Sequence, residues 1–291
     1  MTNGQRHHQH GHGHGHGHSH DAGGEAGMAE LLDMYGEVLS DFLGEMTGWV
    51  AGHAGELFSG RILDLGCGTG TGTFALLRQS PSASVVAVDG SDYMLGQLAR
   101  KAHQLGVEKR VQLVQADLDG QWPDFGAVDV VWTSAFMHHL ADPDEALRKL
   151  FGAVRPGGLL AVIEMNGFPR FLPASLGDGL EARCQAVIDR QSAEAMPHMG
   201  DDWGARLTDA GFVVDEERTF QAELGSPLPE RAKRYAQVSL GRTRERVADQ
   251  LSSADLALLD ALLNNDGPES LMRRDDLVVH ASRTGWAARR P

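Results

Sequence analysis

The residues with the clearest potential for chemistry form a glycine-rich loop at positions 64–70, with the sequence Asp-Leu-Gly-Cys-Gly-Thr-Gly. Glycine at Gly66, Gly68 and Gly70 lets the backbone turn sharply and approach a ligand without Cβ clashes. A dinucleotide-binding loop has the spacing G-x-G-x-x-G. Here Thr71 stands where the third glycine of that motif would be. The loop therefore predicts a bound ligand, and alone it does not identify that ligand.

Two aspartates follow the loop, each at the end of a segment rich in β-branched residues. Asp89 comes 19 positions after Gly70, close to the roughly 20 expected for a carboxylate that accepts ribose hydroxyls. Asp117 follows the next such segment, where it could accept the exocyclic amino group of adenine. Either residue alone could be a solvated loop residue or a helix cap. The ordered combination favours a site for an adenosine-containing ligand.

These residues lie in a regular alternation of predicted strands and helices. The strands are predicted at 61–65, 84–88, 110–115, 128–133 and 159–164, and helices at 71–78, 93–105 and 143–154 separate most of them. Such an alternation predicts parallel βαβ units, and hence an α/β fold with a doubly wound, Rossmann-like sheet. Ligands of these sheets bind beyond the carboxyl ends of the strands. The glycine loop and both aspartates lie there.

Two insertions interrupt the pattern after residue 164. The first spans about 166–200, after which a helix at 203–210, predicted to belong to the core, and a strand at 212–219 resume the alternation. The second, at 221–274, is predicted to be helical, with Ser252 as an N-cap before 256–263. The last strand is predicted at 277–289. Both insertions are predicted to form a helical lid.

The N-terminal region divides into a tail and a predicted lid. Residues 1–27 contain eight histidines between His7 and His20, mostly alternating with glycine, and this segment is predicted to be disordered. It is interpreted as a purification tag or low-complexity tail, with capture of a transition metal as the alternative. Residues 28–57 are predicted to form a lid, whose amphipathic helix at 28–50 packs on the core and covers a ligand.

Over roughly residues 60–166, the sequence resembles the class I S-adenosylmethionine-dependent methyltransferases. The stretches that carry the resemblance are LDLGCGTG at 63–70, VDGSDYML at 88–95, ADL at 116–118, MHHLADP at 137–143 and VRPGG at 154–158. The resemblance implies one catalytic domain at 58–291 with a seven-stranded sheet whose last strand is antiparallel. It also implies S-adenosyl-L-methionine as the methyl donor and a small molecule as the acceptor.

The resemblance also assigns roles to individual residues. Asp64 with Gly66, Gly68 and Gly70 would hold the methionine end of the cofactor, and Asp89 would hold its ribose. The adenine would lie between Met94 and Leu118, with its amino group on Asp117. The predicted cofactor site further includes three residues of the same loops and strand ends: Cys67, Ser91 and Ser134.

Three residues are candidates for the acceptor side. His138 and His139 follow the fourth predicted strand, and Glu164 ends the fifth, so all three are expected near the transferred methyl group. In similar small-molecule O-methyltransferases a histidine and an acidic residue can take the acceptor's proton, and His138 or His139 is the predicted base, with Glu164 orienting or assisting it. A base is needed only when the acceptor is a hydroxyl or an acidic C–H group. Alternatively, the two histidines start a helix that packs beneath the cofactor.

The composition restricts the partners and the compartment. The net charge of −14 and the lack of a long basic stretch disfavour a nucleic-acid substrate. Only two cysteines occur, Cys67 and Cys184, which fits a reducing, cytoplasmic setting. No apolar run reaches the roughly 18 residues that cross a bilayer, so no membrane association is predicted. The folded domain is predicted to use no metal. The sequence leaves the oligomeric state open, and a homodimer is compatible with it.

Two other functional classes compete with a methyltransferase. One is an oxidoreductase with a nucleotide cofactor, which the glycine spacing and the residues downstream of it disfavour. The other is a non-catalytic protein that binds S-adenosylmethionine, or a metal through its histidine tail.

Overall fold

A seven-stranded sheet forms the centre of the protein, whose computed structural model describes residues 22–291. Its strands are β1 (Arg61–Leu65), β2 (Ser84–Asp89), β3 (Val111–Gln115), β4 (Val128–Ser134), β5 (Val154–Met165), β6 (Val213–Leu224) and β7 (Val279–Arg289). They lie in the order β3-β2-β1-β4-β5-β7-β6. β7 runs antiparallel to both β5 and β6. The predicted doubly wound sheet with an antiparallel last strand is confirmed.

Helices cover both faces of this sheet. They are α1 (Ala22–Val38), α2 (Ser40–Ala54), α3 (Thr71–Gln79), α4 (Asp92–Gln104), α5 (Pro143–Ala153), α6 (Leu180–Ala195), α7 (Trp203–Asp209), α8 (Glu230–Arg246) and α9 (Ser253–Leu263). None of the helices within residues 22–291 is long and apolar enough to cross a bilayer.

The N-terminal region differs from its prediction in two ways. The single helix expected at 28–50 is two helices, because the backbone of Leu39, with φ −108° and ψ 30°, is not helical and separates α1 from α2. The predicted disorder at 1–27 extends too far, since α1 already begins at Ala22 and its Glu25 accepts a hydrogen bond from Ser91 at 2.6 Å. The rest of the histidine-rich tail, with its predicted disorder and its alternative of metal capture, lies outside the described residues.

The core has two layers because alternate residues of each central strand point to opposite faces. On one face Ile62, Val130 and Ile163 belong to a large apolar cluster that also contains residues of α1, α2 and α3. On the other face Leu63 and Val131 pack in a second cluster with residues of α5 and α7. Both faces of β1, β4 and β5 are therefore buried. Polar side chains on these strands are concentrated at their ends.

The insertions add helices to the first of these faces. Leu180 and Val187 of α6, Tyr235 of α8 and Leu259 of α9 belong to the same cluster as α1. The second insertion begins later than predicted, because β6 continues to Leu224 through its pairing with β7. The predicted cap is confirmed, since the backbone N–H of Asp255 donates to Ser252 Oγ at 3.1 Å. Helices from both insertions thus form a roof beside α1.

Candidate active site

The glycine loop connects β1 to α3 through three left-handed residues. Gly66, Gly68 and Gly70 have φ of 67°, 52° and 90°. At Gly66 the need for glycine is also steric, because a Cβ there would lie 2.2 Å from ring atoms of Phe136. The loop lets the first and fourth strand ends come together, which a larger residue would prevent.

Alanine at Gly66 should destabilise the fold more than alanine at Gly106, which has the same φ of 67° but open space around its Cβ position. Left-handed backbone costs a non-glycine residue about 1–2 kcal/mol, and forced contacts in a packed site add roughly 1–3 kcal/mol. The measurement is the free energy of unfolding of both variants in urea. Equal losses at the two positions would show that Phe136 moves aside without cost.

Asp64, the penultimate residue of β1, is a buried carboxylate with 2% of its surface exposed. Thr73 of α3 donates its hydroxyl to Asp64 Oδ2 at 2.5 Å. Burial raises the pKa of Asp64 to about 7, the Thr73 hydrogen bond opposes this, and the neighbouring Asp89 raises it further. No cation among the described residues compensates this charge. The site therefore suits a positively charged ligand group.

Asp89 connects the ends of the first two strands. Its Oδ2 accepts a hydrogen bond from the N–H of Gly68 at 2.8 Å, and its Oδ1 accepts one from the N–H of Ser91 at 2.9 Å. Ser91 in turn caps α4 by accepting the N–H of Met94 at 3.2 Å, and Met94 is buried. Asp89 thereby fixes the glycine loop relative to the start of α4.

The third predicted aspartate lies in an exposed turn after β3. Asp117 Oδ1 accepts the N–H of Asp119 at 3.0 Å, and the adjacent Leu118 is buried. Asp89 is paired with Gln115 at the ends of β2 and β3. Asp117 therefore lies on the same edge of the sheet as Asp89, with its carboxylate toward solvent. Its predicted contact with adenine remains a prediction.

Helix α1 lies directly on the glycine loop. Asp33 Oδ1 accepts the hydroxyl of Thr69 at 2.6 Å and also pairs with Lys101 of α4. A Cβ at Gly68 would be 3.2 Å from Leu32. Sequence periodicity identified a covering helix, but it did not reveal Asp33 or Lys101, since acidic residues of an amphipathic helix are usually solvated. The residues that attach α1 to the loop are polar.

The acceptor candidates His138 and Glu164 are in direct contact and both are buried. His138 Nδ1 lies 2.6 Å from Glu164 Oε2. Glu164 Oε1 accepts the backbone N–H groups of Phe136 and Met137 at 3.2 and 2.9 Å. Glu164 therefore holds the loop after β4 and orients the imidazole of His138.

His139 occupies a different environment from His138. It is exposed, and the two ring centroids are 4.2 Å apart. Partial desolvation and the neighbouring His138 lower the pKa of His139, which Glu164 opposes. The structure thus joins His138, rather than His139, to the carboxylate.

The sequence did not indicate the partners of Ser134. At the end of β4, Ser134 Oγ accepts a hydrogen bond from Arg283 Nη1 at 3.3 Å, and Arg283 Nε donates to the hydroxyl of Tyr35 at 2.9 Å. A signal was present in β7, where Arg283 falls in the alternating series of core-facing positions together with Val279 and Ala287. A charged residue at such a position is unusual.

Comparison with known proteins indicates a methyltransferase domain. Residues 63–160 match the sequence model of a family described as "Methyltransferase domain". The chain is 34% identical over 123 residues to a ubiquinone biosynthesis O-methyltransferase from Aeromonas salmonicida, a match covering 42% of this chain and 50% of that protein. A 27-O-demethylrifamycin SV methyltransferase from Amycolatopsis mediterranei is 27% identical over 200 residues, covering 63% and 71% of the two chains.

The fold agrees with this match. The solved structure of a geranyl diphosphate methyltransferase in complex with S-adenosylmethionine superimposes with a TM-score of 0.51 and 16% identity, covering 94% of this chain and 93% of that one. Residues 63–160 therefore form a methyltransferase domain, and the chain as a whole has the fold of an S-adenosylmethionine-dependent methyltransferase. It spans half or less of the length of the first curated relatives that it matches, at 27%, 50% and 37%.

Proposed function

We propose that this chain transfers a methyl group from S-adenosylmethionine to an oxygen, nitrogen or carbon atom of a small molecule. The observation that carries the proposal is the buried carboxylate of Asp64 beside the glycine loop, whose pKa is raised to about 7. The ammonium group of the cofactor's methionine end would be the positively charged partner of this carboxylate. The residues present therefore fit the cofactor.

The remaining contacts would hold the cofactor along the strand ends. Asp89 would bind the ribose hydroxyls with the lone pairs that its two backbone N–H partners leave unused. Buried Met94 and Leu118 would lie against the adenine, with Asp117 at its amino group. When bound, the cofactor would supply a methyl carbon activated by a sulfonium and open to in-line attack by an acceptor atom, with S-adenosylhomocysteine as the leaving group. The protein has mainly to align the acceptor and exclude water.

The helices over the sheet support a small acceptor. Tyr35 of α1 lies 6.5 Å from Tyr235 of α8 between ring centroids, and Tyr235 lies 5.2 Å from Phe171. These aromatic contacts join α1 to segments from both insertions above the strand ends. Such a roof limits access to compact molecules, and the net charge of −14 disfavours RNA or DNA.

For acceptors that must lose a proton, His138 is the proposed base. Glu164 accepts at Nδ1, and the other ring nitrogen, Nε2, makes no hydrogen bond to the described residues. This is the arrangement in which a carboxylate orients an imidazole and leaves one nitrogen free to accept a proton. Glu164 acts as a positioning residue, because its two oxygens are occupied by His138 and by two backbone N–H groups.

Calorimetry with the product S-adenosylhomocysteine tests the proposal against the oxidoreductase alternative. The full chain should bind S-adenosylhomocysteine and should not bind NAD. Release of S-adenosylhomocysteine from S-adenosylmethionine in the presence of an acceptor panel then distinguishes an enzyme from a binding protein. Preferential binding of NAD would reject the proposal.

Cofactor binding should release a proton below neutral pH. Asp64 with a pKa of about 7 is largely protonated at about pH 6 in the free protein, whereas its unfolded pKa is near the ordinary 3.8. An ammonium group beside it lowers this pKa, so binding expels the proton, and affinity for S-adenosylhomocysteine rises with pH up to about 7. Calorimetry in buffers of different ionisation enthalpy measures the protons released at about pH 6 and pH 8.

Asn in place of Asp64 is the matched control, since its oxygen still accepts the Thr73 hydroxyl. The folded protein binds more protons than the unfolded chain between the two pKa values, so stability should fall as pH rises from about 4 to 7. Asp64→Asn should remove both this slope and the proton release. Undiminished proton release in the variant would assign it to another group.

A further inference from the structure

Arg283 is a buried arginine with no carboxylate partner within residues 22–291. It retains 9% of its surface, and among the described residues its hydrogen-bond partners are the hydroxyls of Tyr35 and Ser134. Its guanidinium also lies 5.1 Å from the centroid of the Tyr35 ring. Buried charges in proteins are normally paired with an opposite charge. Arg283 departs from this rule.

Four other partly buried arginines of this protein follow the rule, whereas Arg110 and Arg290 donate to backbone carbonyls instead. Arg183, Arg206, Arg274 and Arg289 each form an ion pair with an aspartate. The chain carries 40 acidic residues, so a carboxylate for Arg283 was not in short supply. The vicinity of Arg283 instead presents hydroxyls and aromatic rings, which leave its full positive charge available.

Part of the guanidinium also remains free to bond. An arginine has five N–H donors, and the structure uses one on Nε and one on Nη1. The second terminal nitrogen, Nη2, has no partner among the described residues. The side-chain polar atoms sealed from solvent without a partner belong to Thr133, Trp203 and Trp286, so Nη2 of Arg283 retains access to solvent. Unfilled donors thus face an accessible space.

The location of Arg283 connects this space to the methyl-transfer site. Arg283 is paired with Met165, the last residue of β5, and its partner Ser134 is the last residue of β4. β4 pairs with β1, which places Asp64 opposite Trp132, two residues before Ser134. Arg283, Ser134 and Asp64 therefore lie on one face and at one edge of the sheet. This end of the sheet therefore carries a guanidinium in addition to the carboxylate of Asp64.

We propose that Arg283, positioned by Tyr35 and Ser134, is a binding subsite for a carboxylate. The planar fork of a guanidinium matches the two oxygens of a carboxylate, and the free Nη2 together with the second hydrogen of Nη1 can donate to it. The inference rests on the proposed function, since it assigns the subsite to the methyl-transfer cleft. The carboxylate belongs either to an acidic acceptor or to the methionine end of the cofactor.

The test compares wild-type protein with Arg283→Met by calorimetry, using two nucleosides that differ at one end. S-adenosylhomocysteine carries the amino-acid carboxylate, and 5′-methylthioadenosine lacks the whole amino-acid end. Benzoate and its neutral analogue benzamide are then titrated into protein saturated with S-adenosylhomocysteine. Loss of a charge-assisted hydrogen bond should lower the binding affinity of the affected ligand about tenfold to a hundredfold.

Two outcomes support the subsite and separate its sources. Weaker S-adenosylhomocysteine with unchanged methylthioadenosine assigns Arg283 to the cofactor's carboxylate. Unchanged S-adenosylhomocysteine with a loss of benzoate, and no effect on benzamide, assigns it to an acidic acceptor. The subsite is overturned if Arg283→Met leaves the affinities for both S-adenosylhomocysteine and benzoate unchanged. It is also overturned if the substitution leaves the affinity for S-adenosylhomocysteine unchanged and the wild-type protein does not bind benzoate.

Three controls keep these outcomes distinct. Arg218→Met removes an exposed arginine of the neighbouring strand, paired with Glu45, and should change none of the affinities. Methylthioadenosine binding reports whether Arg283→Met is folded. If Arg283→Met does not fold, Arg283→Lys, which keeps the charge, replaces it and should show a smaller loss of affinity. A wild-type protein that binds neither nucleoside would refute the proposed methyltransferase function itself, whatever Arg283 does.

Discussion

Replacing Asp89 by alanine is expected to weaken binding of S-adenosylhomocysteine on the order of 100-fold or more. Each hydrogen bond between a carboxylate and a ribose hydroxyl contributes about 1.5–3 kcal/mol, and two are lost together. The same substitution also frees the N–H groups of Gly68 and Ser91, which the two carboxylate oxygens now hold. Calorimetry on the full chain measures the affinity, and thermal unfolding measures the accompanying loss of stability.

Two variants separate these effects. Asp89→Asn retains one acceptor oxygen and should lose less affinity than Asp89→Ala. Asp92→Ala removes an exposed carboxylate three positions later, in the first turn of α4, and should leave affinity within about twofold, since an exposed charge contributes little. A folded Asp89→Ala protein that binds S-adenosylhomocysteine as tightly as the wild type would exclude Asp89 from the cofactor site.

The part of this site that lies between β1 and α4 could be predicted from the sequence because it is local. The glycine loop, Asp89 and Met94 fall at strand ends and helix starts that spacing alone locates. Consecutive parallel strands place such ends on one edge of the sheet. The same logic brought His138 and Glu164 together, and their side chains are in contact at 2.6 Å.

The cluster of Arg283, Tyr35 and Ser134 could not be predicted in this way, because its contacts join distant segments. Arg283 and Tyr35 are 248 positions apart, and Ser134 is 149 positions from Arg283. Such a cluster depends on the antiparallel register of β7 and on where α1 crosses the sheet. Neither is encoded in local periodicity. The hydrophobic pattern likewise continues through Leu39, although the helical backbone conformation is broken there. One helix was therefore predicted where two exist.

The role of Glu164 illustrates what a position at a strand end leaves undetermined. The sequence placed an acidic residue at the end of β5, near the two histidines, and predicted that it orients or assists a base. Which histidine it contacts, and that it also accepts two backbone N–H groups of the loop after β4, depends on atomic geometry. That geometry leads to a specific expectation for one substitution.

Glutamine in place of Glu164 should lower turnover of an acceptor that must lose a proton by about 10²–10⁴-fold. A carboxylate only accepts, so its contact with His138 Nδ1 places the imidazole hydrogen on Nδ1 and leaves the lone pair of Nε2 free. The amide oxygen of glutamine can still accept the N–H groups of Phe136 and Met137, and its NH₂ group then faces His138. Nδ1 becomes the acceptor, the hydrogen moves to Nε2, and the base is lost while the ring stays in place.

The readouts that distinguish this tautomer switch from a damaged fold are the affinity for S-adenosylhomocysteine and the ¹⁵N chemical shifts of the His138 ring. Affinity should stay within about twofold in Glu164→Gln, since the proposed cofactor contacts are made by other residues, while the ring shifts report the exchanged hydrogen. His138→Ala should reduce turnover to a similar extent, because both variants remove the same lone pair. Glu145→Gln, at an exposed carboxylate of α5, should have no effect. If His138→Ala and Glu164→Gln both retain wild-type turnover across pH, the pair serves only to hold the loop after β4, and the acceptor loses its proton without it.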